Sequence, residues 1–290
     1  MAFGKKNLVV EELTPDSFES VDFAFFSAGS DTSREFAPHA VSAGAVVVDN
    51  SSAFRMDDSV PLVVPEINGD DVKAHKGILA VPNCTTIIAL MALAPLHRRF
   101  RVRRVFASSY QAVSGSGAKA IAELSLQVEQ SVRGELPTAE VYPHPIAFNV
   151  IPHVDKFLDS GYTREEMKMQ NEGRRILHMP TFKASVTCVR VPVYRAHSVA
   201  VSADFERPVS LHEAREALRG AEGVSLFDNP EDDVYPTPLE VAGKGECFVG
   251  RLRADCAMEN GLAFWVCGDQ LLKGAALNAV QIAERVLDEQ

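Results

Sequence analysis

The sequence predicts an α/β protein with a doubly wound parallel sheet and a second domain built on a mixed or antiparallel sheet. The early apolar runs at 45–49 and 78–81 are almost uninterrupted, as in parallel strands that are covered on both faces. Later strands, at 186–193 and 198–203, are longer and alternate better between apolar and polar residues. A chain of 290 residues, 46% of them hydrophobic, is long enough to form two cores.

The first half of the parallel sheet follows from a strand, a turn and a helix. A buried strand is predicted at 21–26, and the small residues at 27–30 suit a turn into a helix that ends near Ala43. The strands at 45–49 and 78–81 come next. The turn at Pro82-Asn83 then leads into an apolar helix from Cys84 to about Leu96. Strand, helix, strand and strand in this order indicate a doubly wound sheet.

The second domain begins near Val102, where the strands become longer. Helices separate these strands at about 116–132, 163–177 and 210–219. The chain closes with apolar residues at helical spacing from Leu271 to Leu287, which predict an amphipathic helix.

Composition excludes several classes of partner. The net charge of -10 argues against nucleic acid, because phosphate backbones are bound by clustered Lys and Arg. Five scattered cysteines, without a CxxC pair or metal-ligand spacing to His, predict no metal site and no disulfide framework, which suits the cytoplasm. The first seven residues lack the apolar core of a signal peptide, and no apolar run approaches the roughly 20 residues of a membrane span. We therefore expect a soluble, cytoplasmic protein that binds small molecules.

Cys84 is the first candidate for chemistry, because it stands in the first turn of its predicted helix. Unpaired backbone N–H groups and the helix dipole favour an anion there and lower the pKa of a thiol. Position alone leaves two interpretations open, a reactive thiolate or a buried and inert cysteine of the core.

A series of short sequence segments, spread in order along nearly the whole chain, favours the reactive thiolate over the inert cysteine. They include Pro82-Asn83-Cys84-Thr85-Thr86, and the others stand at 26–30, 49–56, 64–68, 109–115, 146–153, 165–169, 189–193, 235–239 and 274–281, together with His197. In this order they resemble the aspartate-semialdehyde dehydrogenase family. The resemblance implies a Rossmann-like domain and an α+β catalytic and dimerisation domain resembling the C-terminal domain of glyceraldehyde-3-phosphate dehydrogenase. It places the first domain at 1–84 with the closing helix 269–290, and the second at 85–268, in a homodimer.

The resemblance also implies an activity. This is NADP-dependent reductive dephosphorylation of L-aspartyl 4-phosphate to L-aspartate 4-semialdehyde, through a thioester on a cysteine, in the biosynthesis of lysine, threonine, methionine and diaminopimelate. The small-molecule partners would be aspartate semialdehyde, aspartyl phosphate and inorganic phosphate. N-Acetyl-γ-glutamyl-phosphate reductase shares this chemistry, but the blocks at 83–86 and 110–113 fit the aspartate enzyme better.

By this resemblance the catalytic residues are Cys84 as nucleophile, His197 as acid/base and Gln111, which positions the acyl group. Arg190 would hold the substrate's α-carboxylate with two parallel donors, and Glu165 would meet its ammonium group. Without the resemblance, His197 would be interpreted as a surface histidine and Arg190 as half of a surface ion pair.

Phosphate would be bound by Arg55, Asn83 and Lys168. Lys168 stands three residues after Glu165 on the same helix face, so a simple surface pair is the alternative. The residues implied for NADP lie near its nicotinamide end: Ser27, Ala28, Gly29, Asn50, Ser114, Gly115 and Gln270.

The sequence departs from the family pattern at its start. The first strand, the G-x-x-G-x-x-G turn and the first helix, which bind the pyrophosphate, are not found, and the pattern resumes at 3–6. We therefore expect an N-terminally truncated, incomplete Rossmann-like sheet, impaired NADP binding and little turnover. A non-catalytic remnant that folds and dimerises is the alternative function. Smaller departures are Ala196 for Gly, Gln270 for Asn and Gly173 for Thr.

Overall fold

A computed structural model describes residues 2–3 and 6–289. Gly4 and Lys5, where the family pattern is predicted to resume, lie outside the described residues, as does Gln290. The strands are β1 (Ala2–Phe3), β2 (Lys6–Asn7), β3 (Phe23–Phe26), β4 (Val46–Asp49), β5 (Ile78–Ala80), β6 (Val102–Gln111), β7 (Lys183–Arg190), β8 (His197–Phe205), β9 (Val224–Leu226), β10 (Cys247–Ala254) and β11 (Gly261–Gly268).

The α-helices are α1 (Ser30–Ser42), α2 (Pro65–Asn68), α3 (Cys84–Phe100), α4 (Ala118–Val132), α5 (Arg164–Ile176), α6 (Leu211–Arg219), α7 (Pro238–Val241) and α8 (Leu277–Asp288). Short 3-10 helices lie at Pro15–Phe18, Gly69–Ala74, Val113–Ser116 and Pro230–Asp232, and a π-helix at Leu272–Ala276. The predicted helices near 116–132, 163–177 and 210–219 are therefore confirmed.

The first sheet is parallel and has the strand order β3-β4-β5. Its central residues Val47, Val48 and Leu79 are fully buried, as expected for nearly continuous apolar strands. Phe26 pairs with Asp49, and Asp49 with Ala80, so the three strands end together. The residues that follow them therefore meet at one edge of the sheet, where ligands bind in open α/β folds.

The second sheet has six strands in the order β7-β6-β8-β11-β10-β9. β6 pairs in parallel with β7, and β10 with β9, whereas the other pairs are antiparallel. The predicted mixed sheet is thus present. Along β6 the buried residues alternate with exposed ones such as Phe106 and Tyr110, so one face of the sheet lies against helices and the other is open.

One continuous core joins the two sheets. The helix α3 lies at its centre, with every residue from Thr85 to Leu96 buried. The same core contains Leu79 of β5 and Val201 of β8, and the closing helix α8 contacts β4 and α2. The division into domains at 84/85 and 268/269 passes through this core and stays a prediction.

Three local differences from the sequence prediction have clear causes. β7 ends at Arg190 instead of near 193, because Pro192 has no N–H for a ladder. The predicted closing helix starts as a π-helix before α8. Gly173 stands in α5 because a Cβ there would lie 2.7 Å from the ring of Phe182, so a larger residue would need the ring to move. In the described part of the chain, no helix is both long enough and apolar enough to cross a membrane.

Candidate active site

Cys84 is the first residue of α3, and Asn83 caps the helix in front of it. The side-chain oxygen of Asn83 accepts hydrogen bonds from the backbone N–H groups of Thr85 and Thr86, each at 3.1 Å. The backbone N–H of Asn83 donates to Glu172 at 2.7 Å. These bonds determine where the helix begins and hold the half-buried Cys84 in one place.

The expected lowering of the Cys84 pKa by the helix start is wrong for the structure. Desolvation by burial raises the pKa of Cys84 to about 11, and the charge of Glu165 also raises it. Arg55 and Arg190 act in the opposite direction but do not outweigh burial. The sulfur is therefore a neutral thiol at neutral pH.

Glu165 is the centre of a buried network beside Cys84. Its Oε1 accepts hydrogen bonds from Nδ2 of Asn83 at 3.0 Å and from Nε2 of Gln111 at 3.1 Å. Its Oε2 accepts from Nζ of Lys168 at 2.7 Å. Burial alone would raise the pKa of Glu165, but the charge of Lys168 and these hydrogen bonds lower it. Glu165 is thus an anion that orients two of the predicted site amides.

Arg55 and Glu172 form an ion pair next to the same helix start. Nη1 of Arg55 lies 3.5 Å from Oε1 of Glu172, and the two side chains are 10% and 2% exposed. Nη2 of Arg55 donates to the backbone oxygen of Asn50 at 3.0 Å. Nε of Arg55 is buried and has no hydrogen-bond partner among the described residues. A buried guanidinium donor without an acceptor is suited to an anion.

Arg190 ends β7 and is only 4% exposed. Its Nη1 donates to the backbone oxygen of Ala112 at 2.6 Å, while its Nε is buried without a partner in the described part of the chain. This burial excludes the surface ion pair that a lone arginine on a strand would suggest. The free donor makes Arg190 suitable for a ligand carboxylate.

His197 begins β8 and is fully buried. Its Nδ1 accepts the backbone N–H of Ala112 at 3.0 Å, so the neutral ring carries its proton on Nε2. Nε2 is buried and unpaired within the described residues. Burial, and secondarily the charge of Arg190, lowers the pKa of His197 to about 3. The ring is therefore neutral and presents an N–H donor to the site.

Two glycines allow these groups to approach each other. A Cβ on Gly115 would lie 3.1 Å from both Nη1 of Arg190 and Nε2 of His197. A Cβ on Gly274, in the π-helix, would lie 2.9 Å from Cβ of Cys84. Gly115 thus allows the arginine and the histidine to approach each other, and Gly274 allows the π-helix to pack against Cα and Cβ of Cys84.

The predicted nicotinamide residues fall into two groups. Ser114 accepts a hydrogen bond from Nε2 of Gln270, whose Oε1 accepts the N–H of Ala196 at 2.9 Å. Ala196 has a φ of 71°, a left-handed backbone conformation. Glycine adopts it freely, whereas alanine adopts it at a cost of roughly 1 kcal/mol. These residues adjoin His197 and Gly115.

The other group lies at the carboxyl edge of the parallel sheet. Ser27, Ala28 and Gly29 follow β3, and Asn50 follows β4. Gly29 precedes α1 with a φ of 101°, and no atom lies within 4 Å of where its Cβ would stand. This opening at a helix N-terminus suits a nucleotide. Asn50 connects the edge to the site through Arg55.

Sequence reasoning missed Glu172 and Lys273. Glu172 stands seven residues after Glu165, which is about two helical turns, so helical spacing places both on one face of α5. Lys273 is fully buried and donates to Glu66 at 2.5 Å, a contact across more than half of the chain that spacing does not reveal. No group of three His, Cys, Asp or Glu side chains in the described ranges is arranged to hold a metal ion.

Two family models match the chain. One, described as the NAD binding domain of semialdehyde dehydrogenase, covers residues 1–75, and one described as the dimerisation domain of semialdehyde dehydrogenase covers residues 93–273.

Curated relatives and solved structures carry related names. The chain is 50% identical to the aspartate-semialdehyde dehydrogenase of Aquifex aeolicus (strain VF5), over 100% of this chain and 86% of the relative. It is 46% identical to that of Bacillus subtilis (strain 168), over 98% and 84%. Aspartate semialdehyde dehydrogenase II complexed with ASA from Vibrio cholerae gives a TM-score of 0.96 at 38% identity, over 99% and 86%. An aspartate semialdehyde dehydrogenase with NADP from Candida albicans shares the fold, with a TM-score of 0.75 at 22% identity, over 97% and 82%.

Proposed function

This chain belongs to the aspartate-semialdehyde dehydrogenase family, and we propose that it interconverts L-aspartate 4-semialdehyde and L-aspartyl 4-phosphate with NADP and inorganic phosphate. The family and the α/β fold class predicted from the sequence are confirmed. The enzyme is an oxidoreductase of amino-acid biosynthesis. The names of the relatives favour it over N-acetyl-γ-glutamyl-phosphate reductase.

A thiol, Cys84, acted on by the charge of Arg190, which itself adjoins His197 at Gly115, supports the proposal most directly. Cys84 carries the thiol, and His197 and Arg190 each present a buried N–H without a partner among the described residues. Gly115 adjoins both His197 and Arg190, and Gly274 packs against Cβ of Cys84. An aldehyde that carries a carboxylate group matches this set of groups, since the thiol can add to the aldehyde and Arg190 can bind the carboxylate.

Arg190 and Glu165 hold the two charged groups of the substrate in this proposal. Nε of Arg190 is free for the α-carboxylate, because Nη1 is already held by Ala112. Glu165 is an anion despite its burial and attracts the α-ammonium. Gln111 is held by Ser109 at 3.1 Å and by Glu165, so its amide is fixed beside the acyl group.

In the oxidative direction the sulfur of Cys84 adds to the aldehyde carbon, and one proton passes from sulfur to the carbonyl oxygen. The Nε2–H of His197 donates to that oxygen, which stabilises the charge that develops on it. Because Nδ1 already accepts from Ala112, His197 acts first as a donor. The adduct becomes a thioester on Cys84 when its hydride leaves for the acceptor that NADP would supply and its hydroxyl proton leaves for solvent.

Phosphate then attacks the thioester carbon and releases the Cys84 thiol together with aspartyl 4-phosphate. We place the phosphate at Arg55, whose Nε is buried and unpaired within the described residues. Lys168 lies 2.7 Å from Glu165 and 3.2 Å from Asp155, and Asn83 is held by Glu165. These two residues complete the predicted phosphate site by exchanging partners when the anion binds.

NADP, when bound, supplies the hydride acceptor. The residues present fit its nicotinamide half, since Gly29 opens onto free space and Ser114 is oriented by Gln270. Ser27, Ala28, Asn50 and Gly115 complete the proposed cofactor contacts. We also propose a homodimer, because residues 93–273 match a dimerisation domain. The cytoplasmic location, deduced from the scattered cysteines, stays a prediction.

A steady-state assay of NADPH formation tests the proposal. At saturating NADP, the chain should form NADPH, at the low turnover expected from its sequence, only when aspartate semialdehyde and phosphate are both present. Cys84→Ser should remove this activity, because the hydroxyl is a far weaker nucleophile. The matched control is Cys256→Ser, which changes an exposed cysteine outside the site and should keep the activity of the unmodified chain. Activity that does not need phosphate, or that survives Cys84→Ser, would contradict the proposal.

A further inference from the structure

The aromatic ring of Tyr142 lies over the guanidinium of Arg190. The central carbon of that guanidinium is 5.7 Å from the ring centroid, within the range of a cation–π interaction. The phenol hydroxyl of Tyr142 donates to the backbone oxygen of Val113 at 3.4 Å. Tyr142 therefore contacts the proposed carboxylate site through its ring face and the neighbouring backbone through its hydroxyl.

The loop that carries Tyr142, residues 138–147, is held by two buried polar residues of α4. Gln127 accepts the N–H groups of Ile146 at 2.7 Å and Ala147 at 3.0 Å, and donates to the backbone oxygen of Thr138 at 2.7 Å. Glu123 accepts the N–H of Glu140 at 2.9 Å and that of its neighbour Val141. Both ends of the loop are thus bound to one helix.

Glu123 and Gln127 stand one helical turn apart and hydrogen-bond each other at 3.2 Å. They are 7% and 0% exposed. Buried polar groups of this kind keep their geometry only while all their partners are present, so the loop has one well-defined position. Tyr142 also packs on the small apolar cluster that α4 forms with Ile146 and Ile151.

We propose that Tyr142 is a positioning residue for the substrate carboxylate, and that Glu123 and Gln127 hold it in place. The proposal rests on the proposed function, since it assigns the carboxylate to Arg190. Ala112 holds one end of the guanidinium at 2.6 Å, and the ring covers its face. The edge of the Arg190 guanidinium that carries the unpaired Nε then remains free to bind the carboxylate. Exclusion of water by the ring strengthens that ion pair.

The test compares Tyr142→Leu, which removes the ring, with Tyr142→Phe, which keeps it. The KM for aspartate semialdehyde should rise about fivefold in the leucine variant and less than about twofold in the phenylalanine variant, as expected for a partly desolvated cation–π contact. The kcat should stay close to that of the unmodified chain in both. Tyr162→Leu is the matched control, since Tyr162 contacts Ser185 on an exposed surface and should leave KM unchanged.

A second measurement does not depend on turnover. Aspartate semialdehyde should protect Cys84 from alkylation by iodoacetamide, and the half-protecting concentration should rise in Tyr142→Leu by the same factor as KM. An unmodified chain without turnover would contradict the proposed function, while this protection series would still test Tyr142. Equal half-protecting concentrations in the leucine variant and the unmodified chain would overturn the inference. A rise in the half-protecting concentration of Tyr142→Phe or Tyr162→Leu as large as that of Tyr142→Leu would overturn the inference too.

Discussion

Cys84 and His197 are both uncharged at neutral pH, and burial is the main cause in each case. Burial raises the pKa of the Cys84 thiol to about 11 and lowers that of the His197 imidazole to about 3. Desolvation penalises the charged form of any group, so it moves an acid and a base in opposite directions. The structure therefore holds a thiol and an N–H donor instead of a thiolate and imidazolium pair.

The pH dependence of Cys84 alkylation tests this state. In a Cys256→Ser background, the rate with iodoacetamide should rise nearly tenfold per pH unit between about pH 7 and pH 9, because the thiolate fraction grows in this way below a pKa of about 11. Glu165→Gln should increase the rate at each pH, since the charge of Glu165 raises the Cys84 pKa. Glu166→Gln, on the same helix, serves as the control. A rate that levels off below about pH 8 would contradict the raised pKa.

At the scale of elements, the π-helix Leu272–Ala276 connects the second sheet to the closing helix and places Gly274 against Cys84. Its residue Lys273 is fully buried and donates to Glu66 at 2.5 Å, Asn278 at 2.9 Å and Gln281 at 2.8 Å. All three hydrogen-bond donors of the ammonium are therefore satisfied. This cluster attaches the π-helix and α8 to α2.

Lys273→Met should lower the free energy of unfolding by about 3–5 kcal/mol, because it leaves the carboxylate of Glu66 buried without its cation. Chemical denaturation at fixed protein concentration measures this loss. The matched control is Lys73→Met, because Lys73 pairs with Asp70 at the surface with 55% of its side chain exposed, and it should hardly change stability. Adding Glu66→Gln to Lys273→Met should restore part of the loss; no recovery would contradict the uncompensated charge as the cause.

At the scale of the whole molecule, the six-stranded sheet has one face against helices and one open face. Phe106 and Tyr110 are 47% and 37% exposed on that face, and Tyr110 contacts Trp265 with ring centroids 5.2 Å apart. Exposed aromatic residues on a regular sheet are typical of surfaces that pair with another protein. The proposed homodimer therefore places this face against the same face of a second copy.

Phe106→Arg should shift the assembly from dimer to monomer, because a twofold interface would bring two added charges close together. Sedimentation at micromolar concentration measures the shift. Leu287→Arg is the matched control, since Leu287 is 55% exposed on α8, away from the sheet, and it should leave the dimer intact. A monomeric unmodified chain would contradict the proposed homodimer. A Phe106→Arg variant that stays dimeric would show that the dimer interface is not on this face.

By itself the sequence did not indicate β9 to β11, whereas it determined β3 to β5, β7, β8, most of the longer helices and the start of α3 at Cys84. These features depend on residues a few positions apart. Apolar periodicity predicts a helix or strand, and Asn83 caps a helix through the N–H groups of the next residues. The family resemblance added the roles of Arg190 and His197, which no local pattern assigns.

Only the tertiary structure decided the charge state of the site and the partners of its residues. Hydrogen bonds join Gln111 to Glu165, His197 to Ala112 and Lys273 to Glu66, which are 54, 85 and 207 residues apart in the sequence. Burial and the charges brought together by such contacts set the pKa of Cys84, and they reverse the effect expected from its helix position. A pKa depends on everything that surrounds a group in space, whereas sequence spacing describes its neighbours along one element only.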